Sequence, residues 1–288
     1  MHDPPAVVDA DGESLTVAEL VAVAREGATV QVPDPTREAI RTARERVEEV
    51  VESGDAVYGV NTGFGDLVAE RIPESDLRDL QSNLLRSHAA GAGDPLEAPV
   101  VRAMMLARLN TLAKGYSGVR EVVVDHLRTL LNERVHPVVY SHGSLGASGD
   151  LIPLAHMALV LVGEGEAEID RDGDRVVVPG AEALETAGLE PLGLEAKEGL
   201  ALINGTQLTV ALAALLVYDA THTVTSADVA GSLTTEVTMS TTATSDPVLH
   251  AVRPHEDQQA SARNVKRLTA DSEIVESHRN CDRVQDPY

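Results

Sequence analysis

Gly143-Ser144-Leu145-Gly146-Ala147-Ser148-Gly149-Asp150-Leu151-Ile152-Pro153-Leu154 is a glycine-rich bend that runs straight into an apolar helix. Its Ala-Ser-Gly tripeptide is suited to cyclise on itself. Attack of the Gly149 amide nitrogen on the Ala147 carbonyl carbon closes a five-membered ring and releases water. Loss of the Ser148 hydroxyl as a second water leaves a conjugated 4-methylidene-imidazol-5-one, a strong electrophile made of backbone. Gly149 lacks a Cβ, so its nitrogen can approach in a conformation closed to other residues. Asp150 reads as an N-cap, with Pro153 tolerated in the first turn of the helix that follows. The electrophile would then lie at the positive end of a helix dipole, where developing negative charge is stabilised. An isolated Ala-Ser-Gly also occurs by chance, and Ser-Gly-Asp is an ordinary helix cap, so the rest of the chain must decide.

Composition narrows the class. The chain has 288 residues, 43% of them apolar, enough for a sizeable core. With no Trp, one Phe and five Tyr, that core must be aliphatic. Formal charge is −23, from 46 acidic against 23 basic residues, and only Lys114, Lys197 and Lys266 are lysines. Acids recur along the whole chain, which predicts a surface adapted to a high-salt, halophilic cytoplasm where screening removes self-repulsion. Nucleic acid and anionic membrane are excluded as natural partners. A lone Cys281 excludes an internal disulfide framework and suits a reducing compartment. The N-terminus is polar, unlike a signal peptide. The runs around 151–162 and 208–218 read as too short or too interrupted to span a bilayer. The expectation is a soluble cytoplasmic protein.

Helical signals dominate. Thr16-x-x-Glu19 reads as a capping box with Gly27 as the stop. Asp34-Pro35 reads as a cap and first-turn proline before a helix ending at Gly54. Helical spacing continues over 77–88, 100–114, a run capped by Ser117 and closed by His136-Pro137, and then 151–162, 206–223, 227–238 and 261–268. The clear hairpin is 167–178, turning at Asp172-Gly173. Its Asp-x-Asp-Gly-Asp string lacks the glutamate a calcium loop needs at the twelfth position. No repeat or linker marks a domain boundary.

Four further segments carry candidate chemistry. Tyr58-Gly59-Val60-Asn61-Thr62-Gly63-Phe64-Gly65 is a loop with three glycines, read in isolation as a tight turn with a packing tyrosine. It has no phosphate-loop ending. Ser87-His88-Ala89-Ala90-Gly91 puts a histidine at a helix end. Asn204-Gly205-Thr206-Gln207 sets polar amides at the mouth of an apolar helix. The last stretch is Arg283-Val284-Gln285-Asp286-Pro287-Tyr288. Two other enzyme readings are weaker. Gly143-Ser144-Leu145-Gly146 approaches the serine-hydrolase elbow, but His142 stands where the first glycine belongs. Lys114 could form a Schiff base with pyridoxal phosphate (PLP), but no phosphate cradle accompanies it.

Taken in order and spacing, five motifs resemble the aromatic amino acid ammonia-lyases, and among them the histidine ammonia-lyases, from about Ser14 to Tyr288. They are Tyr58–Gly65, Ala113-Lys114-Gly115-Tyr116-Ser117-Gly118-Val119-Arg120, Gly143–His156, Asn204–Gln207 and Arg283–Tyr288. The resemblance implies a mainly α fold: an elongated helical-bundle lyase with a small hairpin, the bundle starting in about 200–288, and a homotetramer whose active sites are shared between subunits. It implies a prosthetic group formed autocatalytically from Ala147, Ser148 and Gly149 within about 135–155, with no metal and no PLP. Tyr58 would take part in proton transfer and Tyr288 would be a candidate base. His88 would bind substrate, Asn204 would contact the prosthetic group and the substrate amine, and Gln285 would complete the pocket. Ser87-His88-Ala89, Gln207 and Arg253-Pro254-His255 match the histidine-specific pattern, so the implied reaction is L-histidine to trans-urocanate and ammonia. A tyrosine or phenylalanine lyase or an aminomutase is the alternative, as is an inactive fragment that assembles with an intact subunit. The family pattern continues past the Gln-Asp-Pro-Tyr motif with a carboxylate-binding arginine, further helices and a pocket glutamate. The expectation is therefore that 1–288 is an incomplete lyase domain whose C-terminal part is missing.

Overall fold

The computed structural model of the chain describes residues 5–63, 72–145, 149–253, 255–280 and Asp282. They form two compact units, Met1–Leu216 and Val217–Tyr288. The fold is mainly helical, as expected.

In the first unit, α1 (Val17–Val21) opens with the predicted capping box: the Thr16 hydroxyl accepts from the Glu19 amide, and the Glu19 carboxylate from the Thr16 amide. A π turn (Ala22–Glu26) follows and ends at Gly27, whose φ of +80° suits a residue without a Cβ. The next helix, α2 (Asp34–Ser53), ends at Gly54 in the same left-handed conformation. Its cap is Pro33, one residue earlier than the sequence suggested. The Pro33 carbonyl already accepts the Arg37 amide, so Asp34 is the first helical residue. Then come α3 (Leu77–His88), α4 (Ala98–Ala113) and α5 (Glu121–Asn132). Helix α4 is buried on every face and forms the centre of the unit, packed by α1, α2 and α5. Its lining is Leu, Val, Met and Ala, the aliphatic core that composition demanded.

Ser117 does not cap α5. Arg120 occupies that position because its amide is held by the Glu198 carboxylate, which keeps the chain extended to residue 120. Nor is His136-Pro137 a helix stop. It is a short strand, β4 (His136–Pro137), paired with the hairpin β6 (Glu166–Arg171) and β7 (Asp174–Pro179). The hairpin turns at Asp172 and Gly173 with φ of +58° and +90°, the mirror-image turn that an Asp-Gly pair favours. Two further pairings were not foreseen: β1 (Val7–Asp9) beside β2 (Thr29–Gln31), parallel, and β3 (Ala92–Pro95) against β5 (Tyr140–His142), antiparallel. The unit is completed by α6 (Leu151–Leu161), α7 (Gly180–Thr186), α8 (Glu198–Ile203) and the start of α9 (Gln207–Val237).

Helix α9 joins two segments that the sequence suggested as separate helices into 31 residues. This corrects the expectation about spans: by length and composition it is apolar enough to cross a membrane, with 17% of the relevant window buried. It nevertheless carries Asp219, Asp228 and Glu236, and an acidic side chain such as Asp at the bilayer centre costs about 2.5–3.5 kcal/mol on insertion scales.

In the second unit, α10 (Pro247–Ala251), α11 (Glu256–Leu268) and α12 (Glu273–Ser277) follow. Helix α11 starts five residues before the predicted Ser261. Asp246 caps α10 through the Val248 amide, Ser272 caps α12 through the Val275 amide, and the Asn264 amide donates to Asp228 at 2.8 Å.

Candidate active site

Strand β5 delivers the chain into the glycine-rich bend, and α6 leaves from it. At their junction Gly149 has φ of +92° and lies in a parallel bridge with Gly205. A Cβ on Gly149 would fall on the Gly205 carbonyl oxygen, so no other residue fits. That same oxygen accepts the Asp150 amide at 2.5 Å. Two loops 56 residues apart are thereby locked backbone to backbone, and this contact brings the tripeptide's end beside Asn204. Ala147, Ser148, Gln285 and Tyr288 lie outside the described residues.

Asp150 occupies the N-cap position of α6, as the sequence suggested, but its side chain does not cap that helix. The carboxylate is buried, accepting from the Ser144 hydroxyl at 2.5 Å and from the Thr209 hydroxyl at 3.0 Å and amide at 2.8 Å. It caps α9 instead, because the Gly149–Gly205 contact brings that helix start within reach. Ser144 is committed to Asp150, which removes the serine-nucleophile reading. Lys114 bonds the Gly12 carbonyl and Glu13 at the surface, away from this cluster, so the Schiff-base reading also goes.

Asn204 ends α8 with its side chain exposed. Gln207 turns inward: its carbonyl oxygen accepts from Arg108 at 3.0 Å and its amide donates to Thr111 at 3.2 Å. Helix α8 itself is held from two sides. Glu198, fully buried, accepts from the Arg120 amide, Nε and Nη2 and from the Glu195 amide. From α3, the Gln81 side-chain oxygen Oε1 accepts the Gly199 amide at 2.9 Å.

Tyr58 projects, 56% exposed, from a turn braced by Asn61, whose carboxamide accepts the Val57 amide and donates to the Asp55 carbonyl, both at 2.8 Å. The next residue, Gly59, has φ of +77°, and a Cβ there would strike Leu200 of α8. The tyrosine loop therefore rests on the helix that presents Asn204.

His88 is the last residue of α3. Its Nδ1 lies 2.9 Å from the Leu84 carbonyl, an acceptor only, and 3.0 Å from the Ser87 hydroxyl; a hydrogen bond to that carbonyl requires the proton on Nδ1, which leaves Nε2 as the acceptor whenever the ring carries one proton. Three residues on, the Gly91 amide donates to Nε2 of His156 on α6 at 3.0 Å. Burial lowers the His156 pKa, which keeps that nitrogen unprotonated, and Tyr140 packs edge-on at 5.1 Å. Helices α6 and α8 thus gather the Tyr58, His88, Gly149 and Asn204 segments, from four distant parts of the chain. Sequence reasoning missed Arg108, His156 and Glu198. The signal for Arg108 was a charge, like that of Arg102, inside a largely apolar helix.

Gly149 fits the last position of a methylidene-imidazolone, because it admits only glycine, and an amide, a phenol and an imidazole are carried by the elements around it. The chain matches the aromatic amino acid lyase family over residues 15–288. It is 59% identical over 278 residues to a probable histidine ammonia-lyase of Halobacterium salinarum, covering 96% of this chain and 52% of that one. Among solved structures, histidine ammonia-lyase from Trypanosoma cruzi superimposes with a TM-score of 0.82 at 39% identity, over 90% of this chain and 49% of the other. Tyrosine aminomutase from Streptomyces globisporus gives 0.83 at 40%, over 91% and 49%. The chain spans about half the length of these relatives, corresponding to their N-terminal portion. On these matches and this geometry, the chain belongs to the aromatic amino acid lyases.

Proposed function

We propose that this chain, extended to the length of its relatives, eliminates ammonia from L-histidine to give trans-urocanate. The observation that carries the reading is the Gly149–Gly205 contact, which sets the last residue of the tripeptide against the turn bearing Asn204. Elimination breaks the Cα–N bond and removes a Cβ proton too weakly acidic for an unaided base. General acid–base catalysis supplies only ~10²–10⁴-fold. A methylidene-imidazolone formed from Ala147, Ser148 and Gly149 supplies the electron sink that this step needs. Asn204 binds the substrate amine, Tyr288 takes the Cβ proton, Tyr58 moves a proton at the leaving nitrogen, and Gln285 closes the pocket. His88 presents Nε2 as an acceptor, complementary to a substrate imidazole N–H. Histidine as substrate is also supported by the histidine ammonia-lyases among its relatives.

Assembly as a homotetramer in the cytoplasm completes the proposal. It would cover Leu212, Leu216, Val217, Val224, Leu233 and Val237, which α9 leaves exposed. The test is release of urocanate, followed by its ultraviolet absorbance, from the chain completed with a C-terminal half like that of its relatives. Faster turnover of tyrosine or phenylalanine would give the site to a different substrate, a reading favoured by the equally close fit to a tyrosine aminomutase.

A further inference from the structure

Arg108 lies on the central helix α4, 2% exposed, with its guanidinium turned toward the end of α8. Its Nε donates to the Leu202 carbonyl at 3.0 Å, Nη1 to the Gln207 side chain at 3.0 Å, and Nη2 to the carbonyls of Ala201 and Asn204, the latter at 2.9 Å. Among the described residues it has no ion pair, and burial alone draws its pKa down to about 10. A buried cation without a counter-charge is costly unless its donors are engaged, and here they go to carbonyls at the negative end of a helix and to the turn beyond it. Gly205 sits directly over the group: a Cβ there would meet Gln207 Oε1 and, at 2.7 Å, Arg108 Nη1. On its other side Gly205 meets Gly149. Three layers are stacked: the end of the cyclising tripeptide, the Asn204–Gly205 turn, and the guanidinium.

We propose that Arg108 is a positioning residue of the lyase site, fixing the Asn204–Gly205 turn against Gly149 and so setting where the Asn204 carboxamide meets the substrate. This rests on the lyase reading above. The substitution of interest is Arg108→Met, which keeps the apolar stem and removes the donors. A displacement of about 1 Å at a substrate-positioning group can cost on the order of 100-fold in rate. Arg108→Met should lower kcat by roughly that factor with little change in KM, whereas Arg108→Lys, which keeps the charge, should recover most of it.

The deciding measurement is a double-mutant cycle in the completed, active enzyme. If Arg108 acts through Asn204, Arg108→Met adds little to the loss already caused by Asn204→Ala, because the group it positions has gone. Independent, multiplicative losses overturn the proposal. Should Arg108→Met fail to fold, Gly205→Ala displaces the same guanidinium from above and must couple to Asn204→Ala in the same way. Amide exchange supplies a readout that needs no turnover: exchange at residues 204–209 should quicken in Arg108→Met or Gly205→Ala while α4 stays protected. Unchanged protection of the turn overturns the proposal as well. A wild-type enzyme that is folded but inert towards histidine, tyrosine and phenylalanine counts instead against the lyase reading.

Discussion

The Asp150 carboxylate and Thr209 are joined twice, through the amide at 2.8 Å and the hydroxyl at 3.0 Å. The residue that ends the glycine-rich bend is therefore the cap of a helix that begins 57 positions later. Asp150→Ala should remove this cap and leave Ser144 without its acceptor. The expected cost is about 2 kcal/mol of stability, the upper end for a helix cap, read by denaturant unfolding. The chain should also cyclise more slowly at 147–149. A variant as stable as the parent would show the cap to be dispensable.

Cyclisation has its own signature. The folded chain should weigh less than its translated mass by two waters, and Ser148→Ala should restore one of them, because its hydroxyl is the second leaving group. Intact-mass spectrometry reads both values. Gly149→Ala should abolish cyclisation altogether, since the new methyl group lands on the Gly205 carbonyl.

Glu198 is fully buried with Arg120 as its charge partner. Removing one member of a buried pair leaves the other unpaired at a cost of about 3–5 kcal/mol. Arg120→Met should therefore destabilise the first unit by about 3 kcal/mol, and Arg120→Met combined with Glu198→Gln should recover part of the loss. Equal stability of the single and double variants would mean that the charge is not the cause.

His136 is buried beside Arg102, Arg175 and Arg134, and burial first, then these cations, hold its pKa down at about 4. The unfolded chain takes up this proton near the usual 6.5 and the folded one does not, so stability is full above 6.5 and falls as pH drops from 6.5 to 4. The loss amounts to about 3 kcal/mol over that window. Melting curves of the wild type and His136→Asn should diverge above pH 6 and converge towards pH 4. Parallel curves would refute the assignment.

Net charge gives a further expectation. With 46 acids against 23 bases, self-repulsion should weaken the fold at low ionic strength, where the Debye length is roughly 30 Å at 0.01 M against about 3 Å at 1 M. The melting temperature should climb steeply with KCl. A flat response would remove the high-salt reading.

Features set by neighbouring residues were legible in the sequence. The Thr16–Glu19 box, the stops at Gly27 and Gly54 and the Asp172-Gly173 turn each depend on a few consecutive side chains. What escaped was set by partners far along the chain. Asp150 looked like a cap for α6 because the adjacent helix was the visible one, whereas its partners were chosen by a contact with residue 205. Ser117 lost its capping role to a carboxylate at 198, and the pairing of residues 7–9 with 29–31 left no periodic trace in three-residue strands. Of the site, the Tyr58, His88, Gly149 and Asn204 segments were found through motifs. The braces behind them were not: Arg108 was marked only by its charge inside a largely apolar helix, and nothing in the apolar run of α6 pointed to a partner for His156.

The tie between Gly91 and His156 has an evolutionary consequence. On the proposed reading His88 would meet the substrate ring from a helix end fastened to α6 through that bond, while residues 149–150 and 204–209 interlock through a different set of contacts, those of Gly205 and Asp150. Substitutions at 87–90 touch none of the Gly205 and Asp150 contacts, so on that reading they should alter which ring is accepted while the Gly149–Gly205 interlock stays intact. Ring preference and the reactive centre could then change independently of one another.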